Sequence, residues 1–494
     1  MLEYNPLLQT IIVPIATAVI IGLLSSKIGK FGGILTCISL TYTSAILTII
    51  FIDVWSNLNT VYEEYVWSEV LGLRFGFLAD GLSLPVALVM NLVCTACAYY
   101  SIPYIMHRIE ILYGGENYRL YNLYFAIYLL FAVGLTGVAF STNLISMYIF
   151  LELVLIPSYF MIDLFGYYDR HRIAMMYFLW NHLGAGLFLA GVILAYFNNG
   201  GSFNIMDLAK VDGSSAFWIC FFILIGWLIK MAVFGFHVWL PHAHGEHPTS
   251  IAAIIATIVG LGNYVIVRLL VSNLFNVFQI FGLPLMVWAL ITMVYGAFLT
   301  LAQDDVKRLY ACSTISQNAY SILGIASCTI LGVYGGVFYF ISHMIGKCIL
   351  FSVAGIIVYM TEIRDMNKLS GLAKIAPFTA ILAILGSMIL SAIPPLSGFQ
   401  AEWIMFIGIF EKGIEIGIVV ALIGIFATFL TLVYTFWPIK RIFFGSAYTE
   451  INLKKNPVKE PLLMVIPLYV LAITSLIFGI YPDLIMKLLE NSTL

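Results

Sequence analysis

Four charged side chains stand in stretches that otherwise read as membrane. Glu152 interrupts IFLELVLIPSYF, Lys230 interrupts WLIKMAVFGF, Lys347 lies in ISHMIGKCILF, and Glu402 sits at the end of IPPLSGFQAEW. His343 precedes Lys347 by one helical turn, so the two share a face. His237 follows Lys230 in the run Trp227–Thr249, which ends LPHAHGEHPT. A charge at the centre of a span costs about 3 kcal/mol on insertion scales and marks ion paths and proton relays more often than packing. In chain order the four charges read minus, plus, plus, minus. Glu, Lys and His all take up and release protons, so what they can do together is move protons. No flavin, iron–sulfur or nucleotide motif accompanies them.

Two of the four lie beside broken helices. Gly235 and Pro241 interrupt the run after Lys230, and Pro394, Pro395 and Gly398 interrupt the run before Glu402. Such breaks free backbone groups that must find partners inside protein or in a wet cavity. The breaks are expected near Phe234–His237 and Pro394–Gly398. Pro157, five residues after Glu152, loosens a third helix. The structural alternative is that the charges are fixed ion pairs, Glu152 with Lys230 for example, that only hold helices together. Other readings of the polar residues are weaker. His237, His242, His244 and His247 could form a metal cluster, but no cysteine or carboxylate pattern supports one. A haem would want facing histidines within a bundle, and of His171 and His182 the first lies at a helix end. Cys94 and Cys97 form a CxxC with no second pair, which in a membrane helix reads as packing. Asp80, Asp163, Asp304, Asp305, Lys307 and Arg308 fall at span ends and are expected to face water.

The elements that must position these groups are membrane helices. Of 494 residues, 62% are hydrophobic and only 10% charged, where soluble domains carry about 25% charged residues. The net charge of −2 gives no argument for nucleic acid. Spans of about 20 apolar residues fall near 7–25, 32–53, 80–103, 120–140, 142–163, 173–197, 215–240, 249–271, 280–301, 305–327, 329–359, 375–410, 414–437 and 461–485. The expectation is an all-α integral membrane protein of about fourteen transmembrane helices, with helices 7 and 12 interrupted. The two breaks are five helices apart, an odd offset that inverts one unit against the other. Helices 4–8 and 9–13 are therefore expected to be two inverted five-helix repeats, with Lys230 and Glu402 at related positions. The chain is one polytopic domain, divided into 1–110, a first repeat 118–272, a second repeat 278–443 and a last helix 460–494. Residues 61–77 alternate enough for a short hairpin outside the membrane, and 203–209 suits a small interfacial helix. The first apolar run lacks a basic start and a cleavage site, so it reads as a span and not a removed signal.

One set of alternate loops holds most of the basic residues: Lys27, Lys30, Arg108, Arg119, Arg170, Arg172, Lys307, Arg308, Arg364, Lys368, Lys374, Lys440, Arg441, Lys454, Lys455 and Lys459. The opposite set holds Arg74, Lys210, Arg268, Lys412 and Lys487. This bias places the first set in the cytoplasm and both termini outside it, in a multi-pass protein of the cell membrane.

The motifs around these residues resemble a known family. LELVLIPSYF, FHVWLPHAHGEHPT, DDVKRLYACSTISQNAY, ISHMIGKCILFSVAG and IPPLSGFQAEW are similar to the antiporter-like subunits of respiratory complex I and its relatives. Those relatives include archaeal F420H2 dehydrogenases, membrane-bound hydrogenases and multisubunit sodium/proton antiporters. The resemblance covers nearly the whole chain. It is greatest to the subunit M or chain 4 type, which Glu402 suggests, because the sister chains carry lysine there. The resemblance implies redox-driven proton translocation. It implies Glu152 and Lys230 as a coupled pair, His237 in the broken-helix motif, His343 as a connecting residue and Glu402 at the far end of a central polar axis, in which Lys347 or water is expected to close the gap left by the eighth span. It also implies partners: other antiporter-like membrane subunits, hydrophilic subunits that hold the redox centres, and membrane lipid. No cofactor is expected in this chain. Two positions depart from the family pattern. The eighth span offers only Thr257 and Asn263 where lysine or histidine is usual, and Gln317 stands where histidine often follows the serines of the tenth.

Burial favours the neutral form of lysine or glutamate, whereas each favours the charged form of the other when close. A pair that forms and breaks therefore switches proton affinity. Moving one charge against 100 mV costs about 2.3 kcal/mol, within reach of a pulse from a neighbouring redox module. The competing readings are a sodium/proton antiporter subunit with no redox module, and a static scaffold or quinone-site subunit that moves no ions.

Overall fold

The computed structural model describes residues 5–69, 73–413, 415–446 and 459–492, with the side chains of Thr257 and Ile258 outside the description. Lys454 and Lys455 of the loop charges, and the side chain of Thr257 in the eighth span, therefore lie outside the described residues. The chain is almost entirely helical. It opens with α1 (Pro6–Leu23) and α2 (Phe31–Asn57). An antiparallel hairpin follows, β1 (Val61–Ser68) on β2 (Leu73–Ala79), with Val61 opposite Ala79. Next come α3 (Ser83–Tyr113), α4 (Tyr118–Phe140), α5 (Leu144–Phe165) and α6 (Arg170–Asn198). A 3-10 turn at Ile205–Lys210 leads into α7 (Gly213–Lys230), α8 (Trp239–Glu246) and α9 (Thr249–Val265), which a π turn continues over Ile266–Val271. The remainder is α10 (Phe275–Leu301), α11 (Val306–Ala326), α12 (Ile330–Thr361), α13 (Pro377–Leu390), α14 (Ser397–Phe410), α15 (Ile416–Phe443), α16 (Leu462–Ile480) and α17 (Asp483–Glu490).

Twelve of the helices are long and apolar enough to cross a membrane by length and composition. The expected fourteen differ from these by α11 and the α13–α14 pair. Ser313, Thr314, Ser316, Gln317, Asn318 and Ser321 make α11 polar, yet all are buried, so this helix is solvated by protein instead of lipid. The pair is divided by its break. Outer helices show apolar side chains outward: Ile38, Leu183, Ile280, Phe429 and Ile466 are all more than half exposed. The described side chains of α9 are all buried, as are nearly all of α12 away from its ends. A layer of amphipathic helices around two buried ones is how a bundle hides polar groups from lipid.

Both interruptions are present, and they share one local geometry. α7 ends at Lys230, and Ala232 turns left-handed at φ 54°. α13 ends at Leu390, and Ala392 turns left-handed at φ 51°. In each, the next residue reaches back five positions, Val233 N to Leu228 O (3.4 Å) and Ile393 N to Met388 O (3.0 Å). The left-handed turn costs an alanine roughly 1–2 kcal/mol, so packing holds it in place. Neighbours serve the freed backbone: Phe234 N donates to Thr292 Oγ1 (3.2 Å), Trp288 Nε1 donates to Phe234 O (2.9 Å), and Ser397 N donates to Ser475 Oγ (3.3 Å). A second correspondence lies at the helix starts. The α5 N-cap Asn143 bridges to Asn204, and the α11 N-cap Asp305 bridges to Asp365.

The shared geometry corrects one expectation. Lys230 ends the half-helix before its break, whereas Glu402 lies inside the half-helix after its own. The two are not equivalent positions; by break geometry Lys230 corresponds to Leu390.

Candidate proton path

Lys230 is the last residue of α7 and only 4% exposed. A helix C-terminus is a favourable place for a cation, because the unpaired carbonyls and the helix dipole face it. α6 approaches closely here. A Cβ on Gly184 would lie 2.6 Å from Gly226 O and 3.1 Å from Lys230 Cγ. Glu152 lies on α5, which packs against α6 as α6 packs against α7, and is near enough for its charge to act on Lys230. No direct ion pair joins the two among the described residues; the Glu152 carboxylate instead lies 3.4 Å from His182 Nδ1 on α6. The expected Glu152–Lys230 contact is thus an interaction across a gap, with the buried Glu152 oxygen (Oε1) turned to His182.

Lys347 and His343 occupy the buried centre of α12. Lys347 Nζ donates to Tyr310 O (3.1 Å) and to Ser313 Oγ, so α11 cradles it. Both ring nitrogens of His343 are buried without a hydrogen-bond partner. So are both nitrogens of His244, Nε2 of His247, and the amides of Asn263 and Asn318. Each orphaned buried group costs about 1–3 kcal/mol if left dry. Several such groups with unused hydrogen-bonding capacity, on α9, α11, α12 and in or just after α8, are the pattern that internal water satisfies.

A separate hydrogen-bond network joins α11, α12, α14 and α15. Tyr339 donates to Gln317 Oε1 (2.7 Å), and Gln317 Nε2 donates to Tyr434 Oη (2.7 Å) and Thr431 Oγ1 (3.2 Å). Tyr320 and Thr431 hydroxyls are 3.1 Å apart. Thr428 donates to Glu402, which is 4% exposed and whose second oxygen has no hydrogen-bond partner. Gln317, one of the departures from the family pattern, is the hub of this network. A chain of hydroxyls that each accept and donate can pass a proton by reorienting.

His237 stands apart. Its Nδ1 accepts from Gly235 N (3.2 Å), its Nε2 lies 3.1 Å from Tyr295 Oη, and the ring is half-buried against α10. It shapes the break, where Gly235 takes φ 94°, and touches none of the other charged groups. Among the described residues no three His, Cys, Asp or Glu side chains are placed to hold a metal. His171 pairs with Asp163 at 2.6 Å on the surface. Cys97 packs 3.5 Å from Cys348 across the α3–α12 contact.

Two residues expected in water are inside. Lys307 is fully buried, donating to Gly245 O (3.1 Å) and His247 O (2.6 Å). Asp80 is 1% exposed and paired with Arg268 at 2.5 Å. Neighbouring elements covered helix ends that look solvent-facing in one dimension. Sequence reasoning weighed His182 only as a haem ligand and missed Thr428, Tyr310 and Ser313. His182 carried one usable signal, a histidine within an apolar helix; the others are ordinary residues whose role exists only through the packing of helices.

The chain matches the family model described as NADH:quinone oxidoreductase/Mrp antiporter, TM, over residues 141–431. It is 27% identical over 463 residues to the NAD(P)H-quinone oxidoreductase chain 4-2 of Synechocystis sp., covering 90% of this chain and 79% of that one. It is 29% identical over 449 residues to the F(420)H(2) dehydrogenase subunit M of Methanosarcina mazei, covering 87% and 86%. Its fold matches a chain in the structure of the Mrp complex from Dietzia sp. with TM-score 0.86 at 22% identity, over 99% of this chain and 97% of that one. The family match spans more than half of the chain and takes in Glu152, Lys230, His343, Lys347 and Glu402, so this multi-pass membrane protein belongs to the NADH:quinone oxidoreductase/Mrp antiporter family.

Proposed function

We propose that the chain is a proton-translocating subunit of a redox-driven respiratory complex, passing protons along an axis from Glu152 and Lys230 through Lys347 and His343 to Glu402. The observation that carries this reading is a set of five ionisable groups, Lys230, His343, Lys347 and Glu402 buried and Glu152 largely so, on or near two interrupted helices and accompanied by buried polar side chains with unused hydrogen-bonding capacity. A scaffold gains nothing from unpaired buried groups, whereas a relay needs them. The gap between Glu152 and Lys230 also fits a switch. A pair held apart can close, which stabilises charged Lys230, and reopen, which releases the proton onward. His182 gives the Glu152 carboxylate a second partner for the open state.

The matching break geometries and the matching N-cap bridges support reading α4 to α9 and α10 to α15 as two inverted repeats. Fourteen crossings, with both termini outside the cytoplasm, follow from that reading and the loop charges. The electron chemistry belongs to partner subunits, and neighbouring antiporter-like chains complete the membrane arm. The relatives named as oxidoreductase and dehydrogenase subunits favour this over a sodium/proton antiporter subunit without a redox module, to which the Mrp likeness points. Subunits that co-purify with a tagged chain discriminate the two, since only the first brings cluster-bearing hydrophilic partners.

The test is proton uptake into vesicles carrying assembled complex. Glu152→Gln and Lys230→Ala are each expected to abolish most translocation, and Glu402→Gln to impair it by blocking the far end. Lys455→Ala serves as the loop control. Wild-type pumping in both Glu152→Gln and Lys230→Ala, with normal subunit content, would return the pair to a structural role.

A further inference from the structure

At one end of the bundle two buried cations lack a carboxylate in contact. Arg108, on α3 and 8% exposed, donates to the carbonyls of Phe165 (3.3 Å) and Gly166 (2.6 Å). Lys307 on α11 is held by two carbonyls as described. Neither takes part in an ion pair among the described residues, and both lie against one ring: Arg108 Cζ and Lys307 Nζ are each 3.9 Å from the centre of Tyr167. A third cation, Arg364, lies 5.3 Å from the same ring and is paired with Asp305 at 2.8 Å. Cation–π contact offsets part of the burial cost, but buried charges ordinarily keep an anion beside them. Three cations share this ring; Asp305 is the carboxylate in contact with them, and the buried Glu246, whose Oε2 accepts from Tyr168 N at 2.6 Å, is the second anion nearby.

A cavity of 280 Å³ opens here between the C-terminal halves of α3 and α12. Arg108 and Arg364, with the rings of Tyr104 and Tyr167, form its polar wall, and Ile111 and Val358 its apolar flank. Ile111 is 53% exposed at the outer surface of the bundle. Glu362, at the exposed rim, is the only carboxylate in the lining among the described residues. The cavity thus joins a cationic interior to an apolar exterior, and it lies at the end of the bundle that carries most of the basic loop residues.

We propose that this cavity binds the phosphate head group of an anionic phospholipid. Arg108 and Arg364 contact the phosphate oxygens, Lys307 adds its field through the Tyr167 ring, and an acyl chain leaves along Ile111 and Val358. Guanidinium groups match phosphate geometry with paired donors, and the inner leaflet of a cell membrane supplies anionic lipid. Free phosphate shares the chemistry but has no use for the apolar flank. The assignment is independent of the proton-path reading, since none of its residues lies on the Glu152–Glu402 axis.

Complex purified through a tag on this chain, stripped with detergent and weighed by native mass spectrometry, tests it. One phosphatidylglycerol per copy of the chain is expected to survive stripping or to rebind on titration. Phosphatidylcholine is expected to bind at least tenfold more weakly, and millimolar inorganic phosphate to leave the lipid in place. Arg108→Gln should weaken rebinding at least tenfold. Ile111→Trp, which fills the flank and leaves every cation intact, should do the same, and it alone decides if Arg108→Gln does not assemble. Equal binding of phosphatidylcholine, displacement by inorganic phosphate, or undiminished lipid in Ile111→Trp each overturns the proposal.

Discussion

Asp80→Asn removes one charge and keeps the shape of the side chain. In the native protein Asp80 Oδ1 accepts from Arg268 Nη2 (2.5 Å), from the backbone N–H groups of Leu82 (3.1 Å) and Ser83 (2.8 Å), and from Ser83 Oγ (2.9 Å). The two side chains are 1% and 6% exposed. Asparagine still offers an oxygen to the N–H groups that begin α3, so the cap, a contribution of about 1 kcal/mol, survives. What is lost is the anion beside a buried guanidinium, which costs about 3–5 kcal/mol. With tenfold per 1.4 kcal/mol, opening of the junction between β2, α3 and the π turn should become roughly a hundred- to several-thousandfold more frequent. Hydrogen exchange at Leu82 and Ser83 reads this directly, because both amides must leave Asp80 to exchange. Adding Arg268→Met removes the stranded charge and should recover more than half of the lost protection, a coupling that only a direct pair produces. Exchange in Asp80→Asn within threefold of wild type would show that the pair does not hold this junction, and the reasoning from burial would be wrong.

Two further outcomes are expected. Gly184→Val places a branched side chain where even a Cβ would stand 2.6 Å from Gly226 O and 3.1 Å from Lys230 Cγ. Overpacking of this kind costs about 1–3 kcal/mol and shifts the end of α7, so proton uptake should fall while subunit content stays normal; Gly186→Val on the same helix, with nothing within 4 Å of its Cβ, should behave as wild type, and equal uptake in the two variants would refute the idea. In the hairpin, the hydrogen bond from Arg74 holds the Glu64 carboxyl below its ordinary range. A depressed value means that this contribution is present above the ordinary carboxylate range and is lost as pH falls through the depressed value. Exchange rates of hairpin amides, corrected for the intrinsic effect of pH, should therefore rise slightly in acid in the wild type and less in Arg74→Gln, where only the Tyr62 hydroxyl still holds the carboxylate. High salt should blunt the difference, since the pair is exposed.

The sequence by itself determined the class of this protein, the position of its apolar helices, both breaks and the identity of the charged residues. Each of these is a one-dimensional property. Hydropathy sums over about 20 residues, glycine and proline act on their own backbone, and a charge in an apolar run is conspicuous wherever it later points. The hairpin was legible too, because strand alternation has a period of two. Tertiary structure decided which groups face each other. Asp80 and Lys307 read as solvent-facing helix ends, yet Arg268 lies 188 residues away from the first and the carbonyls of Gly245 and His247 lie 62 and 60 residues from the second. Nothing local to those sites announces such partners. His182 beside Glu152, Ser313 beneath Lys347 and Thr428 on Glu402 are choices made by helix packing. His237, conspicuous in its motif, turns outward to Tyr295 because the backbone around Gly235 runs left-handed and the neighbouring helix offers a hydroxyl there. The break positions were set by residue type, but the non-equivalence of Lys230 and Glu402 could be seen only once each had a side of its break. A sequence gives the distance of a charge from a break along the chain, and only the packed helices give its direction.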